Sequence, residues 1–70
     1  MERASDGYED EGLARARHDL KNVLTALSAG CSLVERSLAK GDAAGARAFV
    51  EEMRVEIARA AAITDTLRER

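Results

Sequence analysis

His18, Asp19 and Asn22 are the residues whose types and spacing could do chemistry. His18 is the only histidine among 70 residues. It falls within a long helical pattern, in which residues three and four apart share a face. His18 thus faces the same way as Ala14, Arg15, Lys21, Asn22 and, two turns on, Thr25. The adjacent Asp19 carboxylate can accept a hydrogen bond from one ring nitrogen, which fixes the tautomer and leaves the other nitrogen as a nucleophile. The same carboxylate can take up the proton released on attack. Arg15, Arg17 and Lys21 surround the ring with positive charge, which suits an incoming phosphoryl group. Asn22, one turn on, can position a water. The plainer reading is a solvated helix face with i,i+4 pairs such as Glu11 with Arg15. That reading leaves Asn22 as a mildly unfavourable helix residue with no purpose.

The elements that must position these groups are two heptad helices. From Leu13 the apolar residues run Leu13, Leu20, Leu24, Leu27, Cys31, Val34 and Leu38, with steps of 7, 4, 3, 4, 3 and 4. Arg17 interrupts this seam, and Ala16 and Val23 flank and widen it. His18 lies one residue outside it, at a position expected to be exposed. The first helix is expected over about 9–39, or ~45 Å at ~1.5 Å per residue. Gly12 weakens its first turn. Lys40-Gly41-Asp42 breaks the pattern: Gly41 suits a left-handed C-terminal position, and Asp42 can cap the next helix. The second helix, over about 43–69, reads Ala46, Val50, Met53, Ile57, Ala60, Thr64 and Leu67, widened by Phe49 and Ile63. Ala58, Ala60, Ala61 and Ala62 allow close helix approach.

A link of three residues forces an antiparallel hairpin. Folded about Gly41, residue x faces roughly residue 82 − x, so His18 lies level with Thr64 and Asp65 near the open end. Two helices cannot cover both stripes. The expected fold is therefore all-α: an antiparallel two-helix hairpin that homodimerises into a four-helix bundle. Its dimer core would be Leu20, Leu24, Leu27, Cys31, Val34, Val50, Met53, Ile57, Thr64 and Leu67. Cys31 reads as a small buried hydrophobe and not as a redox centre. Residues 1–7 read as a disordered acidic tail, with Asp6 and Glu9 a loose capping box.

Composition narrows the function classes. Seventy residues make one small domain, which buries little surface alone. One Cys forbids an intramolecular disulfide, and one His with one Cys does not make a zinc site. Oligomerisation remains as the expected support. The absence of Pro and Trp, with abundant Ala, Leu, Glu and Arg, is the composition of a long-helix protein. Residues 1–12 carry five acids against one arginine, a net −4. Residues 13–70 carry ten Lys and Arg against eight acids, a net +2. Neither suits nucleic acid, which calls for a strongly basic face with stacking aromatics. The longest uncharged run, Asn22 to Val34, falls short of the ~20 apolar residues of a membrane span. The acidic start lacks the apolar segment of a signal peptide. A cytoplasmic location is expected.

The run His18-Asp19-Leu20-Lys21-Asn22-Val23-Leu24-Thr25-Ala26-Leu27 resembles the H-box of sensor histidine kinases, in the dimerisation and histidine-phosphotransfer (DHp, HisKA-like) domain of two-component signalling. That family's pattern is His, then Glu or Asp, two variable residues, Asn or Thr, commonly Pro, then Leu. The match falls on His18, Asp19, Asn22 and Leu24, and on the Leu-Thr-Ala at 24–26. Val23 replaces the common Pro, so a helix kink there is not expected. The resemblance spans about residues 10–70. It implies that His18 accepts the γ-phosphoryl of ATP and passes it to a response-regulator aspartate. Asp19 would act as base and orienter, and Asn22 would place water when the phosphorylated regulator is hydrolysed. It also implies partners: a second copy, a receiver domain and a separate ATP-binding domain that holds ATP and Mg. Gly7, Gly12, Gly30, Gly41 and Gly45 form no Gly-rich phosphate loop, so the chain itself is expected to bind no cofactor and not to phosphorylate itself. Thr25, Ala26, Leu33 and Val55 are the candidate partner-binding residues, because the last three fall outside the stripes as exposed apolar groups. The alternative is a non-catalytic dimeric scaffold that binds a receiver domain or kinase without phosphotransfer.

Overall fold

The turn at 40–42 sets the architecture. Gly41 has a φ of 76°, the left-handed region that side chains with a Cβ avoid. This lets the chain reverse within three residues. The Gly41 N–H donates to Leu38 O at 3.0 Å and the Asp42 N–H to Ser37 O at 2.8 Å. Together they form a Schellman closure of the first helix. Asp42 also begins the second helix: its Oδ1 accepts from the Gly45 N–H at 2.8 Å, and its carbonyl accepts from the Ala46 N–H at 3.1 Å. One residue thus ends one helix and caps the next.

A computed structural model describes residues 11–68 as two α-helices packed on each other. They are α1, Glu11–Ala39, and α2, Ala43–Arg68. The acidic tail, the Asp6–Glu9 box and the helix limits near 9 and 69 lie outside the described residues. No helix among the described residues is long and apolar enough to cross a membrane.

The seam inside the hairpin differs from the sequence reading by one residue. Its buried residues are Ala16, Val23, Gly30 and Ser37 on α1, at intervals of seven, and Ala46 on α2. Leu20, Leu27 and Val34 flank them half-buried, and Val50, Met53, Ala60, Ile63 and Leu67 are half-buried on α2. The second expected column is outside: Leu24 is 66% and Leu38 59% exposed, and Cys31 is exposed. Ile57 and Thr64 on α2 are also exposed. Cys31 is therefore no buried hydrophobe within one hairpin.

The reason is packing. Side-chain size chose the leucine column in the sequence, whereas close approach of two helices favours small side chains. A Cβ built on Gly30 would lie 2.6 Å from Met53 Cγ. The Met53 stem occupies the space a side chain at 30 would need. Leu24, Leu38 and Ile57 remain exposed, as does Thr64, whose hydroxyl donates to Ala61 O at 2.9 Å.

Candidate functional site

His18 and Asn22 occupy one exposed face of α1, a turn apart. The Asn22 amide Nδ2 lies 3.4 Å from His18 Nε2. With Nδ2 as donor, Nε2 is the acceptor, which puts the proton of the neutral ring on Nδ1. Nε2 then carries the lone pair. The sequence reading gave Asp19 the task of setting the tautomer, but no hydrogen bond joins Asp19 to His18 among the described residues. Helix geometry explains this. Residues i and i+4 are neighbours on the surface, whereas i and i+1 point in directions about 100° apart.

Asp19 instead turns toward α2 and is half-buried. It borders three shallow depressions. The first runs along α1 past Glu11, Ala14, Arg15 and His18. The second lies between the helices with Gly12, Arg15, Ala16, Ile63, Thr66 and Leu67. The third brings Asp19 together with Asn22, Arg59 and Ile63. The opposition of Asp19 to Ile63 and of Asn22 to Arg59 follows the mirror relation about Gly41. Among the basic residues expected round the ring, Arg15 borders the first two depressions. Arg17 and Lys21 are exposed and line none of the three.

Below this cluster, toward the turn, the two helices form a groove. It is lined by Ala26, Ala29, Gly30 and Leu33 on α1, and by Phe49, Glu52, Met53 and Glu56 on α2. Ala26 and Leu33, two of the expected partner-binding residues, meet here, with Leu33 half-buried against the groove wall. Thr25 is exposed outside the groove, and Val55, 60% exposed, is also outside it.

No family model, curated protein or solved structure matches the chain.

Sequence reasoning missed Arg59 as a neighbour of the motif, and missed Phe49, Glu52 and Glu56 as walls of the groove. The signal was present. Reflecting Asn22 about Gly41 gives position 60, and reflecting Ala26 to Leu33 gives 49–56. No group of three His, Cys, Asp or Glu side chains suited to a metal occurs among the described residues.

Proposed function

We propose that this chain is the dimerisation and phosphoacceptor module of a two-component sensor histidine kinase, working in the cytoplasm. One observation carries the reading. The sole imidazole is solvent-exposed on α1, and its Nε2 lies 3.4 Å from the amide nitrogen of Asn22, the residue that completes the H-box pattern. In the reaction, Nε2 attacks the γ-phosphorus of ATP held by a separate ATP-binding domain with Mg. The N–P bond forms, the bond to the β-phosphate oxygen breaks, and ADP leaves. Asp19 stabilises the cationic ring formed during attack, and Arg15 favours the incoming anion. A receiver-domain aspartate oxygen then attacks the same phosphorus, and the N–P bond breaks. Asn22, released from Nε2 by the phosphoryl group, is placed to hold a water for regulator dephosphorylation.

Two further features support the assembly this reading needs. The groove under His18 gives a receiver domain a place to dock, with Ala26 and Leu33 as contacts. The outer stripe of Leu24, Cys31, Leu38 and Ile57 gives a second hairpin something to cover, which completes a four-helix bundle.

The test is back-transfer. Receiver domains phosphorylated on aspartate by acetyl phosphate are mixed with the full chain. At least one should lose its phosphoryl group to the chain, forming an acid-labile adduct that Asn22→Ala still forms and His18→Gln does not. Receiver binding without transfer would establish the scaffold reading instead.

A further inference from the structure

Phosphorylation of His18 puts up to about two negative charges one residue from the Asp19 carboxylate. During attack this carboxylate stabilises the ring cation, but once the phosphoryl group is in place the two anions repel unless a cation lies between them. Two arginines border Asp19. Arg15 is on the same helix, on the Glu11 and Ala14 side. Arg59 comes from α2 and shares a depression with Asp19 and Asn22, floored by Ile63. Its present partner holds it weakly: Arg59 Nε is 4.0 Å from Glu56 Oε1, and the arginine side chain is 61% exposed. The separation is at the limit of an ion pair and the arginine end is solvated, so the guanidinium can turn away, leaving a Glu56 side chain that is only 25% exposed without its cation.

We infer that Arg59 is the phosphoryl-binding residue of the second helix, bridging the Asp19 carboxylate and an oxygen of the phosphoryl group on His18. The inference rests on His18 being the phosphoacceptor. A guanidinium suits the task because its planar fork offers donors on two edges, one for each anion. An ammonium supplies the charge without that fork. Asn22 lines the same depression as Asp19 and Arg59: its amide loses Nε2 on phosphorylation and can donate to the phosphoryl group instead. The second helix thereby senses the charge state of the first, with release of Glu56 as the consequence.

The full 70-residue chain is treated with potassium phosphoramidate, which needs no kinase domain. Nε2 attacks phosphorus, the N–P bond of the donor breaks, and ammonia leaves with the proton. Loading of His18 is followed by mass spectrometry, and the titration midpoint of the bound phosphoryl group by phosphorus NMR. The charged groups flanking His18 along α1 are Glu11, Arg15, Arg17, Asp19 and Lys21, and those of α2 level with His18 or Asn22 are Asp65 and Arg59. Arg59→Ala should slow loading roughly tenfold, the scale of one charge-assisted hydrogen bond, and should raise the midpoint, since a cation favours the dianion. Arg59→Lys should keep most of the midpoint and lose part of the rate. In an Asp19→Asn background the loss caused by Arg59→Ala should shrink severalfold, because the repulsion it offsets has gone. Arg59→Gln, which keeps the side-chain stem, replaces the Ala variant if helicity falls. An unchanged rate and midpoint in the Ala or Gln variant would overturn the role of Arg59. Transfer from the loaded chain to receiver domains is scored separately: its failure would count against the phosphoacceptor reading, while the midpoint would still judge Arg59.

Discussion

Replacing His18 by Gln keeps a polar side chain of similar reach but removes the nucleophilic nitrogen. Phosphate acceptance should vanish while the fold persists, since the site is exposed and such changes usually cost under ~0.5 kcal/mol. Asp19→Asn keeps an acceptor and removes the charge proposed to stabilise the ring cation. Acceptance from a supplied kinase domain should fall by the ~10²–10⁴-fold typical of such groups. Asn22→Ala leaves the nucleophile intact and frees Nε2 from its 3.4 Å contact. Acceptance should persist, whereas dephosphorylation of the regulator should fail. Kinase and phosphatase assays on the three variants check this. Equal loss of acceptance in Asn22→Ala and His18→Gln would contradict the assignment. At this scale the proximity of His18 and Asn22 was legible in the sequence because their spacing is one helical turn. The separate directions of His18 and Asp19 were not, because which side of α1 meets α2 is decided by packing.

The helices and their link follow from local chemistry that a sequence displays. Gly41 punctuates two heptad patterns, and its φ of 76° is the conformation a tight reversal requires. Gly41→Val should destabilise the hairpin by about 1–2 kcal/mol, whereas Gly41→Asn should cost less; thermal melts followed by circular dichroism measure both. The position of the seam was less legible, because leucines advertise themselves and close approach does not. Gly30 illustrates this. In an open helix, Gly→Ala is worth up to about 1 kcal/mol of added stability. Here the new Cβ would meet Met53, so Gly30→Ala should destabilise, and the sign should reverse in a Met53→Ala background. The groove beside that contact gives a graded expectation for receiver binding. Ala26→Glu should weaken binding with stability unchanged within ~0.5 kcal/mol. Leu33→Glu should reduce both, because Leu33 is half-buried, and Val55→Glu should alter neither.

Across the whole molecule, the buried seam holds one large side chain, Val23, among Ala16, Gly30, Ser37 and Ala46. So small an interior is a weak source of stability for a hairpin of this length. Leu20, Leu27 and Leu67 are only half-buried and Leu24 and Leu38 stand outside, which is the arrangement expected if a second copy covers them. The chain should therefore sediment near twice its 7.6 kDa mass. Leu24→Asp, at a site 66% exposed on one hairpin, should dissociate the dimer and lower helicity together. A stable, fully helical monomer of the unaltered chain at micromolar concentration would contradict the four-helix bundle.

The central claim is that His18 carries a phosphoryl group, and site localisation tests it most directly. The chain is incubated with the ATP-binding domain of a histidine kinase and ATP, then analysed by mass spectrometry under neutral conditions that preserve phosphohistidine. The account predicts one phosphoryl group per chain, on His18, lost on brief acid treatment and absent from His18→Gln. Phosphate found on a serine or threonine and stable to acid, or none on His18 with any kinase domain while receiver domains still bind, would contradict it.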